Sequence, residues 1–435
     1  MKKISISIVF MFALILFSGC ELEDIENPNA PTVSSFEEGS SEADIMLLAT
    51  GLEAIMRSDL EFHYDTVSIL GRDYYDLTGV DPRFTGELLK GPLDNNGFLT
   101  TRSYAAWYKV VKSANILIEA VENSVAGFDE QQKNSYYGYA KTLKAYALLM
   151  VANRQYDNGI RIDVADPDNL GPNVSYEEAL TAIMNLLNEA DSDLANASDD
   201  FVSLSSGFDG FDTASTFSEF NRAIAARVAL YQGNDQLVLS LLEDSFLDLN
   251  GDLYEGPAHV FGLSGNDISN AQFHVPLQSG QEFMAHDSWV DDAEAGDTRV
   301  DEKVVELPDG TSFDGLSADY QVAVYESNVD PVYLIRNEEL ILIYAEANIG
   351  VDNDETVEAI NIVRNAAGLP DYSGATDDTS LLQEVLKQRR YSLFAEGHRW
   401  IDLRRLDMLN EANVPLDRSG DNVIDAFPTP FTEQL

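Results

Sequence analysis

From Ile335 to about Arg405 the chain runs through three consecutive helical patterns, IRNEELILIYAEANIG, AINIVRNAAGLPDY and LLQEVLKQRRYSLFAEGHRWIDLRRLDML. In the first, Leu340, Ile343 and Ala347 share one face with Tyr344 beside them, and the small Ala345 and Ala347 let a neighbouring helix come close. In the second, Val357, Ile360 and Val363 form the inner face; Gly368 stands where a left-handed cap is needed and Pro370 prevents continuation. Helices joined this tightly must bury their apolar faces on one another, which predicts an α-solenoid of helix pairs.

The rest of the chain fits that plan. Helices are predicted over about 41–58, 101–121, 131–153, 176–195, 217–232 and 235–246, the fourth opened by a Ser175–Glu178 capping box. Trp107 and Trp400 belong to such helices and are expected in the core. Two stretches, at about 60–100 and 247–334, lose the helical period and gain Gly, Pro, Asn and Asp; excursions of that length in a compact fold usually carry function. Within the second, Tyr320, Val322 and Val324 alternate as a short strand does. The expected fold is all-α: a tetratricopeptide-like helical superhelix over 41–435, one domain, with little β structure in its excursions.

The late helices also resemble the C-terminal signature of the SusD/RagB family, surface glycan-binding lipoproteins of Bacteroidetes. Arg336, Glu339, Tyr344, Ala345, Glu346 and Ala347 match its first block, and Asn361, Val363, Arg364, Ala367, Gly368, Leu369 and Pro370 its second. Glu396, Gly397, Arg399, Trp400, Asp402, Leu403, Arg404 and Arg405 match the third, while Gln388 and Ser392 stand where the family usually has glutamates. Arg336, Glu339, Arg364, Glu396, Arg399, Asp402 and Arg404 read as structural, a guanidinium network tying the last helix to the superhelix. Gly296–Val300 resembles a D-x-R motif of the family, and DAFPTPFTEQL its closing strap.

The N-terminus reads the same way. Lys2 and Lys3 precede an apolar run to Phe17, then Ser18-Gly19-Cys20, which is a lipoprotein signal peptide over 1–19. Cys20, the sole cysteine, would be acylated at the head of a lipidated tether over 20–40. The formal net charge of −48 argues against nucleic acid and anionic membrane faces as partners, since both need clustered Lys and Arg.

Catalytic signals are few. The five histidines show no H-E-x-x-H spacing, and no nucleophile elbow, Walker loop or dinucleotide fingerprint is present. With 75 acidic residues, chance carboxylate pairs are inevitable and select no glycosidase dyad. Asp248, Asn250 and Asp252 alternate as calcium ligands do, yet Gly251 is misplaced and His259 occupies the twelfth position, so an Asx-rich turn fits better and no cofactor is expected.

Sugar binding asks for flat rings beside carboxylates, amides and an arginine. The first excursion offers Asp73, Tyr74, Tyr75, Asp76, Arg83 and Asn96; the second offers Gln281, Trp289 and Tyr320. For the tyrosines a packing role competes. Negative charge favours uncharged glycans, although a basic patch around Arg72 and Arg83 would admit acidic ones. The resemblance implies an outer-membrane lipoprotein that captures oligo- or polysaccharide and delivers it to a SusC-like TonB-dependent transporter. The rival readings are a secreted helical glycoside hydrolase or lyase, and a structural transporter subunit without sugar binding.

Overall fold

The computed structural model describes residues 39–265 and 267–434. The signal peptide, Cys20 and nearly all of the tether lie outside the described residues.

The helical expectation holds. Helix α1 (Glu42–Ile55) is followed by α2 (Leu60–Gly71), the short α3 (Glu87–Lys90), then α4 (Phe98–Glu122), α5 (Glu130–Gln155), α6 (Tyr176–Leu194), α7 (Ala214–Tyr231) and α8 (Asp235–Glu243). After the second excursion come α11 (Asn337–Ala347), α12 (Asn353–Ala366), α13 (Asp378–Ser392) and α14 (His398–Arg405), with the short α9 (Asp287–Asp291) and α10 (Thr298–Lys303) inside that excursion. Each long helix packs on its successor, α4 on α5, α5 on α6, α6 on α7 and α7 on α8; α8 then passes the stack to α11, and α14 returns to pack on α2. Ser175 and Glu178 form the predicted capping box, and Gly368 takes φ +75° just beyond α12, where its amide and that of Leu369 close onto Asn365 and Arg364 carbonyls. Trp107 and Trp400 are buried.

The first excursion departs from expectation at its start. Residues 60–71 are a helix, α2, in which every residue but Glu61 is buried. A helix covered on all sides shows no polar stripe, so its period is invisible in the sequence. The second excursion carries more strand than predicted: β4 (Ala258–His259), β5 (Phe283–Ala285), β6 (Val304–Phe313), β7 (Leu316–Val322) and β8 (Val332–Tyr333). Tyr320 and Val322 lie in β7, while Val324 falls beyond its end.

The buried arginines form an ion-pair network that reaches beyond the last helix. Arg227 of α7 grips Glu339 of α11 (Nε to Oε1 2.7 Å), both fully covered. Arg336 pairs with Glu338 at 2.8 Å and with Glu396. Asp402 takes Arg389 at 2.7 Å and Arg405 at 3.0 Å, and Arg364 takes Glu294 at 2.7 Å as well as Glu384. Arg404 donates to the Asn153 and Asp425 carbonyls, both at 2.7 Å, with its guanidinium over the Trp400 and Tyr156 rings. Breaking one such buried pair costs about 3–5 kcal/mol, because the other charge is left uncompensated. Gln388 and Ser392 do not weaken this network: the Gln388 carbonyl accepts from Arg299 at 2.8 Å while its amide donates to Glu384 at 2.8 Å, and Ser392 Oγ accepts from Arg299 at 3.0 Å. Arg299 is itself chelated by Asp297, which is the D-x-R pair of the sequence.

Candidate functional site

The two excursions, about two hundred residues apart in sequence, form one sheet. Strand β1 (Tyr74–Asp76) of the first pairs antiparallel with β5 of the second, Tyr74 opposite Ala285 and Asp76 opposite Phe283. The sheet continues to β7 and β6, in the order β1-β5-β7-β6. The loop leaving β1 begins beside the chain entering β5, where the Leu77 amide donates to the Glu282 carbonyl at 2.8 Å. It then reaches the β6–β7 turn. Gly79, at φ +70°, lies flat against the Phe313 ring, which a Cβ would approach to 3.1 Å, and Thr85 donates to Asp314 at 3.1 Å. Arg418, from the segment after α14, clamps both sides by donating to Asp314 Oδ2 at 2.6 Å and to the Thr85 carbonyl.

Five of the nine predicted sugar-binding residues are packed inside this assembly. Successive strand residues face opposite sides, and β1 is covered on both, so Tyr74 and Tyr75 are both buried. Tyr74 donates to Asp65 of α2 at 2.7 Å and sets its ring edge-on to Phe394. Tyr75 donates to Asp417, whose carboxylate also meets His286 Nε2 at 2.9 Å. The His286 and Tyr75 hydrogen bonds hold Asp417 at about 2. Asp76 caps the following turn, accepting from the Thr78 amide and hydroxyl at 2.9 and 2.6 Å. Asp73 is covered and its Oδ1 has no partner; burial lifts its pKa to about 6 against the pull of Arg399 and Arg390.

Trp289 is fully buried, against an expectation that allowed it to face solvent. Its indole stacks at 4.3 Å on Phe394 and 5.1 Å on Tyr391, with Nε1 donating to the Arg390 carbonyl at 3.3 Å. The reason lies in α9: Asp287, Asp291 and Asp292 face water, which turns the intervening indole inward. Arg72, half of the expected basic patch, is also buried, its guanidinium spent on the carbonyls of Ile69 and Asn422.

The other four remain accessible. Arg83 is half exposed, chelated by Asp81 and lying 4.1 Å above the Phe98 ring, which packs with Phe62 and Phe84. Asn96 is exposed in the segment between α3 and α4. Tyr320 is half-buried on β7 and Gln281 half-buried in the loop before β5, where Gln321 holds the 275–281 segment by donating to the Val275 and Gln281 carbonyls at 3.2 and 2.8 Å. Beneath them His274 stacks on Phe283 at 4.0 Å, and burial lowers its pKa to about 4, so it is neutral. Asp417, Arg418 and Phe313, which brace this surface, carried no signal in the sequence: each acts only through contacts that the fold creates.

Asp248 and Asp252 form Asx turns, with Asn250 between them. Asp248 accepts from the Asn250 amide at 2.8 Å, Asp252 from the Tyr254 amide at 2.9 Å, and Asn337 holds both main-chain carbonyls. Among the described residues no group of three or more His, Cys, Asp or Glu could hold a metal ion.

Comparison with known proteins gives one family. Residues 315–432 match the SusD family. Over 96% of its length the chain is 22% identical to the SusD-like protein P38 of Formosa agariphila, covering 94% of that protein. A SusD superfamily protein from Bacteroides vulgatus superposes with a TM-score of 0.69 at 18% identity, over 91% of this chain and 97% of that one. A laminarin-binding SusD-like protein superposes with a TM-score of 0.61 at 18% identity, over the same 91% and 97%. The chain is therefore SusD-like, in its fold throughout and in its C-terminal sequence, as the late-helix motifs implied.

Proposed function

We propose that the protein is a non-catalytic glycan-binding protein that holds oligo- or polysaccharide on the surface built by its two excursions. The observation that carries this is the β1–β5 pairing, which fixes both excursions on the helical stack while Arg83, Asn96, Gln281 and Tyr320 within them remain accessible. A half-exposed ring, amides and a guanidinium suit the polar rim and weakly apolar face of a sugar. The SusD likeness, and a structural neighbour that binds laminarin, support the same reading.

In the fuller form of this proposal, Cys20 anchors the chain to the outer membrane from outside, and the protein presents its cargo to a SusC-like TonB-dependent transporter. Among the described residues no helix is long and apolar enough to cross a membrane. Anchoring confines the protein near its transporter and raises effective concentration, so a site of roughly micromolar to millimolar affinity suffices.

Affinity gels with a panel of polysaccharides test the binding. Retention with no new reducing ends or unsaturated products is expected, and Tyr320→Ala combined with Asn96→Ala should reduce it without moving Tm. Product formation would instead establish the hydrolase or lyase reading, and retention on no glycan the purely structural one. Cys20→Ala should abolish lipid labelling in cells; label that persists removes the anchor.

A further inference from the structure

Most arginines of the network end on carboxylates, but Arg72, Arg154, Arg399 and Arg404 donate to main-chain carbonyls or a hydroxyl. Of these, Arg399 lines an open cavity of about 600 Å³ between α13, α14 and the segment after α14. Its Nε donates to the Gly71 carbonyl at 3.0 Å and its Nη2 to the Asn413 carbonyl at 2.8 Å. Arg390 lines the same cavity. It reaches Asp292 at 2.9 Å and Ser288 Oγ at 2.7 Å, while its buried Nε has no partner.

The lining carries three cations, Lys387, Arg390 and Arg399, against one acid, Asp292. Lys387 is bonded to Glu294 at 2.8 Å, and Glu294 is held by Arg364 as well. Asp292 points largely into water. Asp73, behind the two guanidiniums, is buried with its pKa raised to about 6, so it is largely ionised at neutral pH and offsets part of their charge, while the buried Asp402 is bonded to Arg389 and Arg405. Leu386, Leu403 and Met408 add apolar lining. Arg399, which bonds to carbonyls alone, and Arg390, which holds one carboxylate and keeps one donor unpartnered, stand beside apolar side chains in a chain of net charge −48, where further acids to neutralise them are plentiful.

We infer that this cavity receives the carboxylate of an acidic sugar residue, a uronate, on Arg390 and Arg399, with the sugar ring resting on Leu386, Leu403 and Met408. The inference rests on the glycan-binding reading and names a sugar class and a second subsite for it. Arginine in a partly desolvated site matches a carboxylate in geometry and charge. Arg72 is buried away from any basic patch, and the two guanidiniums that face a cavity are those of Arg390 and Arg399.

The test uses the full chain, a glucuronate-bearing oligosaccharide, and the same oligosaccharide after carboxyl reduction, in affinity gels and calorimetry. The acidic form should bind about tenfold tighter, less so in high salt. Arg390→Gln should erase that preference. So should Ala412→Glu, which sets a carboxylate at the exposed mouth without touching a buried side chain. Equal binding of both forms, or of neither, overturns the inference. Retention of any neutral glycan in those cases leaves the broader function standing, whereas retention of no glycan, neutral or acidic, overturns both.

Discussion

Trp289→Ala separates a sugar platform from a core residue. The indole is fully covered, stacked on Phe394 and Tyr391, and Tyr391 Oη donates back to the Trp289 carbonyl at 3.0 Å. Truncating a buried Trp typically costs about 3–5 kcal/mol through lost burial and the cavity left behind. Unfolding entropy of about 2.1 cal/mol/K per residue over roughly 400 residues gives about 0.8 kcal/mol per degree, so Tm should fall by about 4–6 °C. The assay is a thermal melt followed by circular dichroism, with glycan retention measured below the transition. Tyr320→Ala is the control, since its ring is half exposed and should shift Tm little. A Trp289→Ala protein that melts with the parent but loses retention would refute the packing argument and return the indole to the binding surface.

Glu339→Gln should cost about 3–5 kcal/mol by leaving the Arg227 guanidinium buried without its carboxylate, read as a lower denaturant midpoint. Stability should also fall in acid. Burial alone would raise Glu339 and Asp402, but Arg227 beside the first and Arg389 and Arg405 beside the second hold both at about 2. Because those folded values lie below the unfolded ones, their stabilisation is complete above about pH 4.5 and is lost as pH drops toward 2, which denaturant melts across that window would show. Gly256→Ala should destabilise by more than about 1 kcal/mol, since φ is +155° and an added Cβ would meet the Ile335 carbonyl at 2.2 Å; an unchanged midpoint would contradict the geometry. Gln388→Glu, although it restores the residue usual in the family, should destabilise by about 1–3 kcal/mol, because it removes the amide donated to Glu384 and sets two carboxylates together.

The legible parts of the chain were those whose geometry is local. Ser175 with Glu178, Gly368 before Pro370, and the stripes of α5, α6 and α12 each declare themselves within a turn or two. Helix α2 did not, because burial on every side removes the polar stripe that marks a helix. The three-residue strands β1 and β5 are too short to show alternation, and their pairing links positions about two hundred residues apart. The same pairing decided the fate of the aromatic candidates. Tyr74 and Tyr75 look like an exposed doublet in sequence, and only a strand covered on both faces explains how adjacent rings are both buried.

That pairing also bears on how a binding surface can vary without loss of the fold. The rings that fill the excursions' interior, Tyr74, Tyr75, Phe283 and Trp289, lock to α2, α13 and the segment after α14. The accessible side chains, Arg83, Asn96, Gln281 and Tyr320, hang from that locked base. Substitutions at the second set remove little buried area, so ligand choice can change there at small cost to stability. Substitutions at the first set disturb the seam between the excursions and the late helices, and that seam also forms one wall of the Arg390–Arg399 cavity.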